Sequence, residues 1–312
     1  MVGGTGHIGT YLVPRLVALG LDVVSVSRSQ REPYQAHGAW TRVRQVSLDR
    51  EALGAEAFAE QVAGLEPDIV IDLICFTPES NRALVAALRG KIQHFLHCGT
   101  IWVHGHATEV PTTEAAARRP FGEYGVNKAA IERELLLEAR QNGFPATVLH
   151  PGHIVGPGWV PLNPQGNFNP EVFTTLAKGD ELTLPNFGLE TVHHVHADDV
   201  AQGFERAITH WGGAVGENFH LVSLAAVTLR GYAEAVAGWS GQDARLEFSP
   251  FETWRETVSD EDAQATWEHI ARSPNCSIAK AEKLLGYTPR YSSLEGVREA
   301  LGSLLERGVV SA

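Results

Sequence analysis

The first half of the chain alternates short apolar runs with longer stretches in which apolar residues recur at helical spacing. Residues 23–26, 43–48, 69–74, 94–97 and 146–149 have the length and β-branched texture of buried strands. Between them, residues 11–19, 51–65, 80–88 and 124–141 repeat apolar positions three and four apart and predict helices. Strand–helix alternation builds βαβ units, so the pattern predicts an α/β fold, a Rossmann-type doubly wound parallel sheet covered on both faces. After Pro157 the pattern changes: residues 157–170 are rich in Pro, Gly and Asn and read as a long loop. Later segments mix helices with brief strands. Only Met1 and Val2 precede the first glycines, whereas a strand usually has about five residues. The first strand is therefore expected to be truncated, or the natural protein to begin upstream. Pro14 should bend the first helix by removing one of its hydrogen bonds.

The turn after that strand reads Gly3-Gly4-Thr5-Gly6-His7-Ile8-Gly9. Gly3, Gly6 and Gly9 suit a tight strand-to-helix turn, close approach of backbone to phosphate, and a helix N-terminus facing an anion. A nicotinamide dinucleotide on this turn would meet Thr5, His7 and Ile8 as well. The next strand ends Ser27-Arg28-Ser29 without a carboxylate. A hydroxyl and a guanidinium suit a 2′-phosphate, so the cofactor expected is NADP, with NAD as the alternative. Asp49 is a candidate for the adenine amino group. Leu73, Ile74 and Pro151, at predicted strand ends, complete the expected cofactor set. The organisation that follows is a dinucleotide-binding core over residues 1–157, to which 190–222 return, and a substrate-binding lobe from 158–189 and 223–312.

Composition narrows the partners. The 312 residues carry a formal net charge of −12, which opposes non-specific binding to nucleic acid or an anionic membrane. Cys75, Cys98 and Cys276 are few and far apart, as reduced thiols of a cytoplasmic protein would be. No charged leader with an apolar segment precedes Gly3, so no signal peptide is expected. The apolar run at 69–76 is broken by Asp72 and is too short to span a membrane.

Tyr124-Gly125-Val126-Asn127-Lys128 places a phenol and an ammonium one helical turn apart, on one face. An ammonium nearby favours phenolate and would draw the tyrosine toward useful acid–base chemistry. The segment Phe95 through Gly105, the Tyr124/Lys128 pair with Pro120 before it, His150-Pro151-Gly152, Val195 through Ala201, and Lys283 through Pro289 together resemble the extended short-chain dehydrogenase/reductase family, often called NAD-dependent epimerase/dehydratases. The resemblance runs over nearly the whole chain. It implies that Thr100, Tyr124 and Lys128 are catalytic: Tyr124 exchanging a proton with the substrate oxygen, Thr100 orienting that oxygen, Lys128 tuning Tyr124 and holding the nicotinamide ribose. The implied activity is NAD(P)-dependent oxidoreduction or epimerisation of a small substrate, sugar-like by family prevalence.

Departures from the family pattern refine this. Dehydrating and decarboxylating relatives have acids after the catalytic Thr, where this chain has Ile101 and Trp102. His150 stands where many relatives have Arg, which counts against a nucleotide-sugar diphosphate, and His104 replaces a Tyr. Trp102 and His153 are candidate substrate contacts. His193-His194-x-His196 could be a metal cluster of a hydrolase, through His194 and His196, but it falls on a strand and turn that are structural in the family, and no metal is expected. A cofactor-binding sensor or RNA-binding relative is the non-catalytic alternative, opposed by the intact Thr100/Tyr124/Lys128 set. A homodimer through the 124–141 helix is expected, because Ile131, Leu135 and Leu136 offer more apolar surface than one sheet face needs.

Overall fold

The computed structural model describes residues 1–28 and 32–311, so Ser29 lies outside the described residues. Five strands form in the predicted places: β1 (Val24–Ser27), β2 (Arg44–Ser47), β3 (Ile69–Asp72), β4 (His94–Cys98) and β5 (Ala146–Pro151). β1 pairs with β2, β3 with β4, β4 with β5, and β5 with a later strand, Asn218–Leu221, all in parallel. The two parts are joined by the N-terminus. Val2 bridges to Val26 on one side and to Asp72 on the other. Its N–H donates to the Ile71 carbonyl at 2.8 Å, and that of Gly3 to the Val26 carbonyl at 2.9 Å. The truncated first strand thus occupies the centre of the sheet with only its C-terminal end, where the glycine turn begins. The result is a doubly wound α/β fold.

The helices are α1 (His7–Ala18), α2 (Arg50–Leu53), α3 (Ala55–Ala63), α4 (Pro78–Leu88) and α5 (Glu123–Asn142). α1 starts before the predicted residue 11, because the glycine turn feeds directly into it, and it continues through Pro14. The single helix predicted at 51–65 is split by Gly54, whose φ of +79° ends α2 and starts α3. No helix among the described residues is long and apolar enough to cross a membrane.

Both sheet faces are sealed. Leu12, Val13 and Leu16 of α1 pack with Phe204, Phe219 and Leu221 on one face. Phe58, Leu84, Leu88, Ile131 and Leu135 pack on the other. Each such side chain stabilises the fold by about 1.5–3 kcal/mol. Ile131 and Leu135 are therefore consumed by the core, Leu136 is partly buried, and the apolar surplus expected on α5 is instead the exposed Val126 and Leu137. A separate apolar cluster gathers Phe173, Leu184, Tyr232, Val236 and Leu301. No helix or strand lies between Val155 and Glu171. This long segment follows the C-terminal end of β5, and Val155 and Leu162 join it to the later cluster.

Candidate active site

The glycine turn shows why it needs glycine. Gly3 adopts φ +87°, and a Cβ there would lie 2.9 Å from Ile74 Cγ2. A Cβ on Gly9 would lie 2.0 Å from the Gly4 carbonyl oxygen, so only glycine lets α1 rest on the turn. Gly6 caps α1 and no side chain takes that place, which leaves first-turn N–H groups and the positive end of the helix dipole available to an anion. Thr5 and Ile8 are buried within the turn. His7 stacks on Trp159 at 3.8 Å, and its Nε2 lies 2.9 Å from the Tyr34 hydroxyl. Tyr34 and Trp159 were not legible as site residues, since each reaches the turn from a loop.

Beside the turn lies a cleft of about 300 Å³ at the C-terminal ends of the strands. Its lining brings together Gly3, Gly6, His7, Ile8, Leu73, Ile74, Thr100, Tyr124, Lys128 and Pro151. Phe76, Cys98 and Ile154 join them without any sequence signal. Such a cleft, at the switch point of a doubly wound sheet, fits a nicotinamide dinucleotide. Ser27 and Arg28 close β1 away from this lining, Ser27 half-buried and Arg28 exposed. Asp49 is engaged as the cap of α2: its Oδ1 accepts from the N–H groups of Glu51 and Ala52 at 2.9 and 3.1 Å.

Thr100 follows β4 and begins a 3₁₀ turn, Ile101–His104, its Oγ1 accepting from the Trp102 N–H at 3.2 Å. The same hydroxyl lies near the Tyr124 phenol and acts to lower its pKa. Although Tyr124 as a whole is 40% exposed, desolvation of its phenol, reinforced by the Cys98 thiol, raises the pKa above its ordinary value, and Thr100 only partly opposes this. That differs from the expectation that Lys128 depresses Tyr124. The reason is geometric: Lys128 Nζ donates to the Cys98 carbonyl at 2.6 Å and lies 5.8 Å from the Tyr124 ring centroid. Lys128 is itself buried, and desolvation lowers its pKa.

Beyond Tyr124 the wall is aromatic. Trp102 meets Tyr124 edge-on at 5.8 Å, His269 at 5.0 Å and His153 at 6.3 Å between centroids. The Arg272 guanidinium lies 3.7 Å from the Trp102 ring and 3.9 Å from that of Phe121. His153 Nε2 is buried without a hydrogen-bond partner. Burial first, then His269 and other neighbours, hold the His153 imidazole well below its ordinary pKa and therefore neutral. An orphaned imidazole nitrogen beside a cleft is a group that a substrate hydroxyl or carbonyl could satisfy. His269 and Arg272 come from far along the chain and carried no local signal.

The remaining candidates have other partners. His193 Nε2 contacts the Ser223 carbonyl at 2.9 Å and its Nδ1 accepts from the Cys276 N–H at 3.1 Å. His194 Nε2 faces the Leu162 carbonyl, and His196 Nδ1 accepts from the Asp198 N–H at 3.0 Å. These rings serve the backbone, and among the described residues no three His, Cys, Asp or Glu side chains could hold one metal. All three thiols are buried, and burial pushes Cys98 up to about 11.

With the glycine turn, Thr100, Tyr124 and Lys128 lining one cleft, the fold is that of an enzyme that moves hydride with a nicotinamide dinucleotide, an oxidoreductase or epimerase. The chain belongs to the NAD dependent epimerase/dehydratase family, whose model matches residues 1–221. It is 33% identical over 132 residues to 2′-dehydrokanamycin reductase of Streptomyces kanamyceticus, a match spanning 42% of this chain and 36% of that protein. It is 24% identical to a UDP-glucose 4-epimerase of Mycolicibacterium smegmatis across 96% of both chains. The crystal structure of a UDP-glucose 4-epimerase from Thermotoga maritima superposes with a TM-score of 0.74 at 19% identity, covering 98% of each chain.

Proposed function

We propose that the chain is an NADP-preferring oxidoreductase acting at a carbinol or carbonyl carbon of a small, ring-shaped, sugar-like substrate. The observation that carries this reading is that Thr100, Tyr124 and Lys128 line one cleft together with the glycine turn. Reduction of a carbonyl adds hydride at carbon and a proton at oxygen, and a bound dinucleotide supplies the hydride. Tyr124 gives the proton, Thr100 orients the oxygen, and the Lys128 ammonium on the cleft floor holds the ribose. Oxidation runs the same transfers in reverse. Ile101 and Trp102 carry no proton to transfer, which disfavours dehydration. Trp102 supports stacking on a ring, and His153 Nε2 supports one polar contact to it. Ser27 and Arg28 support a 2′-phosphate. The apolar cluster around Tyr232 and Leu301 supports a substrate lobe made of 158–189 and 223–312.

The related proteins named reductase and epimerase favour ring sugars and their ketones as the first compounds to try. The test is titration of the chain with NADPH and NADH, followed by cofactor turnover with UDP-glucose, free aldoses and cyclic ketones. Saturable cofactor binding with turnover of one of these is expected. No cofactor binding, or binding without turnover of any, would overturn the reading.

A further inference from the structure

α5 presents Tyr124, Lys128 and Glu132 at successive steps of four residues, in one stripe facing the end of β4. Tyr124 lies near Thr100, and Lys128 donates to the Cys98 carbonyl, as described above. Glu132 is 3% exposed and reaches the same segment through one intermediate, His150. His150 Nε2 lies 3.1 Å from Glu132 Oε1, and His150 Nδ1 accepts from the Thr100 N–H at 3.0 Å. The backbone donor fixes Nδ1 as the acceptor, so the proton sits on Nε2 and points at the carboxylate. Burial alone would raise the Glu132 carboxyl. His150 and Arg118 outweigh it and hold the group ionised, with Arg118 donating at 2.6 and 2.8 Å and Asn218 donating to Oε1. Gly99 makes room: a Cβ there would lie 2.3 Å from His150 Nδ1.

We infer that His150, oriented by Glu132, is a positioning residue for the reaction, which sets the backbone of Thr100 and so the direction of its hydroxyl toward Tyr124. α5 then holds the Cys98–Thr100 segment at two backbone groups: the Cys98 carbonyl directly through Lys128, and the Thr100 N–H through Glu132 and His150. A hydroxyl that must meet both a phenol and a substrate oxygen gains from a backbone fixed at both neighbouring peptide groups, since small displacements at such a contact are costly in rate. The inference rests on the reading of Thr100 and Tyr124 as the reacting pair.

The test uses three variants of the full chain. His150→Asn keeps an acceptor where Nδ1 lies. His150→Gln keeps a donor toward Glu132 but loses that acceptor. His150→Leu loses both. Amide hydrogen exchange across residues 98–102 is measured first and needs no substrate. Exchange at Thr100 is expected to quicken by about tenfold in the Gln and Leu variants and to stay near wild type in the Asn variant. With the carbonyl compound turned over fastest by the wild type, kcat should fall by about tenfold in Gln and Leu while KM and cofactor affinity hold within about twofold. If the Leu variant does not fold, the Asn and Gln pair decides. Unchanged exchange, or a kcat loss equal in Asn and Gln, would overturn the inference. Tyr124→Phe runs alongside: full activity in that variant would instead remove the reading on which the inference stands.

Discussion

Lys128 and Cys98 are joined by a 2.6 Å hydrogen bond from the ammonium to the carbonyl oxygen, inside the cleft and away from solvent. The lysine is therefore anchored to the strand end. Its replacement should loosen the cleft floor as well as remove a charge.

For Lys128→Met, cofactor affinity is expected to fall by about tenfold or more, the scale of a charge-assisted hydrogen bond. Tyr124→Phe should leave that affinity within about twofold and reduce turnover by 10²–10⁴-fold, roughly the worth of a positioned proton donor. Cofactor titration and initial rates on both variants check the split. Equal effects of the two changes on cofactor affinity would contradict it.

Cofactor choice is tested at Ser27, the residue that ends β1. NADPH should bind more tightly than NADH. In Ser27→Asp the order should reverse, because a carboxylate repels a 2′-phosphate and accepts from a 2′-hydroxyl. The expected change is about 1.5–3 kcal/mol, or roughly ten- to a hundredfold. Isothermal titration of both cofactors against both proteins measures it.

Acid should destabilise the fold. Burial lowers His94, His193 and His269 to about 4 in the native chain, whereas an unfolded histidine titrates near ~6.5. Below the unfolded value, the unfolded state takes up protons that the native state refuses, so stability is full above pH ~6.5 and falls as pH drops toward about 4. At pH ~5 each of these buried rings costs about 2 kcal/mol. Thermal unfolding followed from pH 7 to pH 5 should show a clear fall in Tm. A flat profile would mean that these rings are not held neutral.

Self-association is expected to use the outward stripe of α5. Val126 and Leu137 are 47% and 50% exposed and share one helical face, eleven residues apart. Leu137→Glu should turn a dimer into a monomer in sedimentation at micromolar concentration and leave the monomer folded. A wild-type chain that already sediments as a monomer would rule out the homodimer.

The fold was legible because its signals are local. Apolar runs at 69–74 and 146–149 and the turn at Gly3–Gly9 each decide their own element, and a doubly wound sheet follows from their order. Tyr124 and Lys128 were legible for the same reason, as one helical step. Glu132 sits on the next step of that helix, and its periodicity could have been read. His269, Arg272 and Trp159 could not, because only tertiary folding brings them to Trp102 and His7. The effect of Lys128 on Tyr124 was not legible, because sequence spacing shows a neighbouring charge but not where it is spent: the ammonium is bonded to the Cys98 carbonyl, and desolvation of the phenol acts in the other direction. The outward face of α5 was misjudged likewise, since counting leucines does not show which of them the sheet has already taken.

The grip of α5 on the end of β4 also bears on how the gene for this chain can vary. Adding one codon between those for Tyr124 and Glu132 would rotate everything beyond it by about 100° around the helix axis. All the contacts past the insertion would be lost together, and no single compensating substitution could restore them. The nine residues from Tyr124 to Glu132 therefore behave as a ruler whose length is fixed, while the exposed turn at residues 240–243 has no such register to keep. Among descendants of this sequence, insertions and deletions should collect in such exposed turns and avoid the ruler.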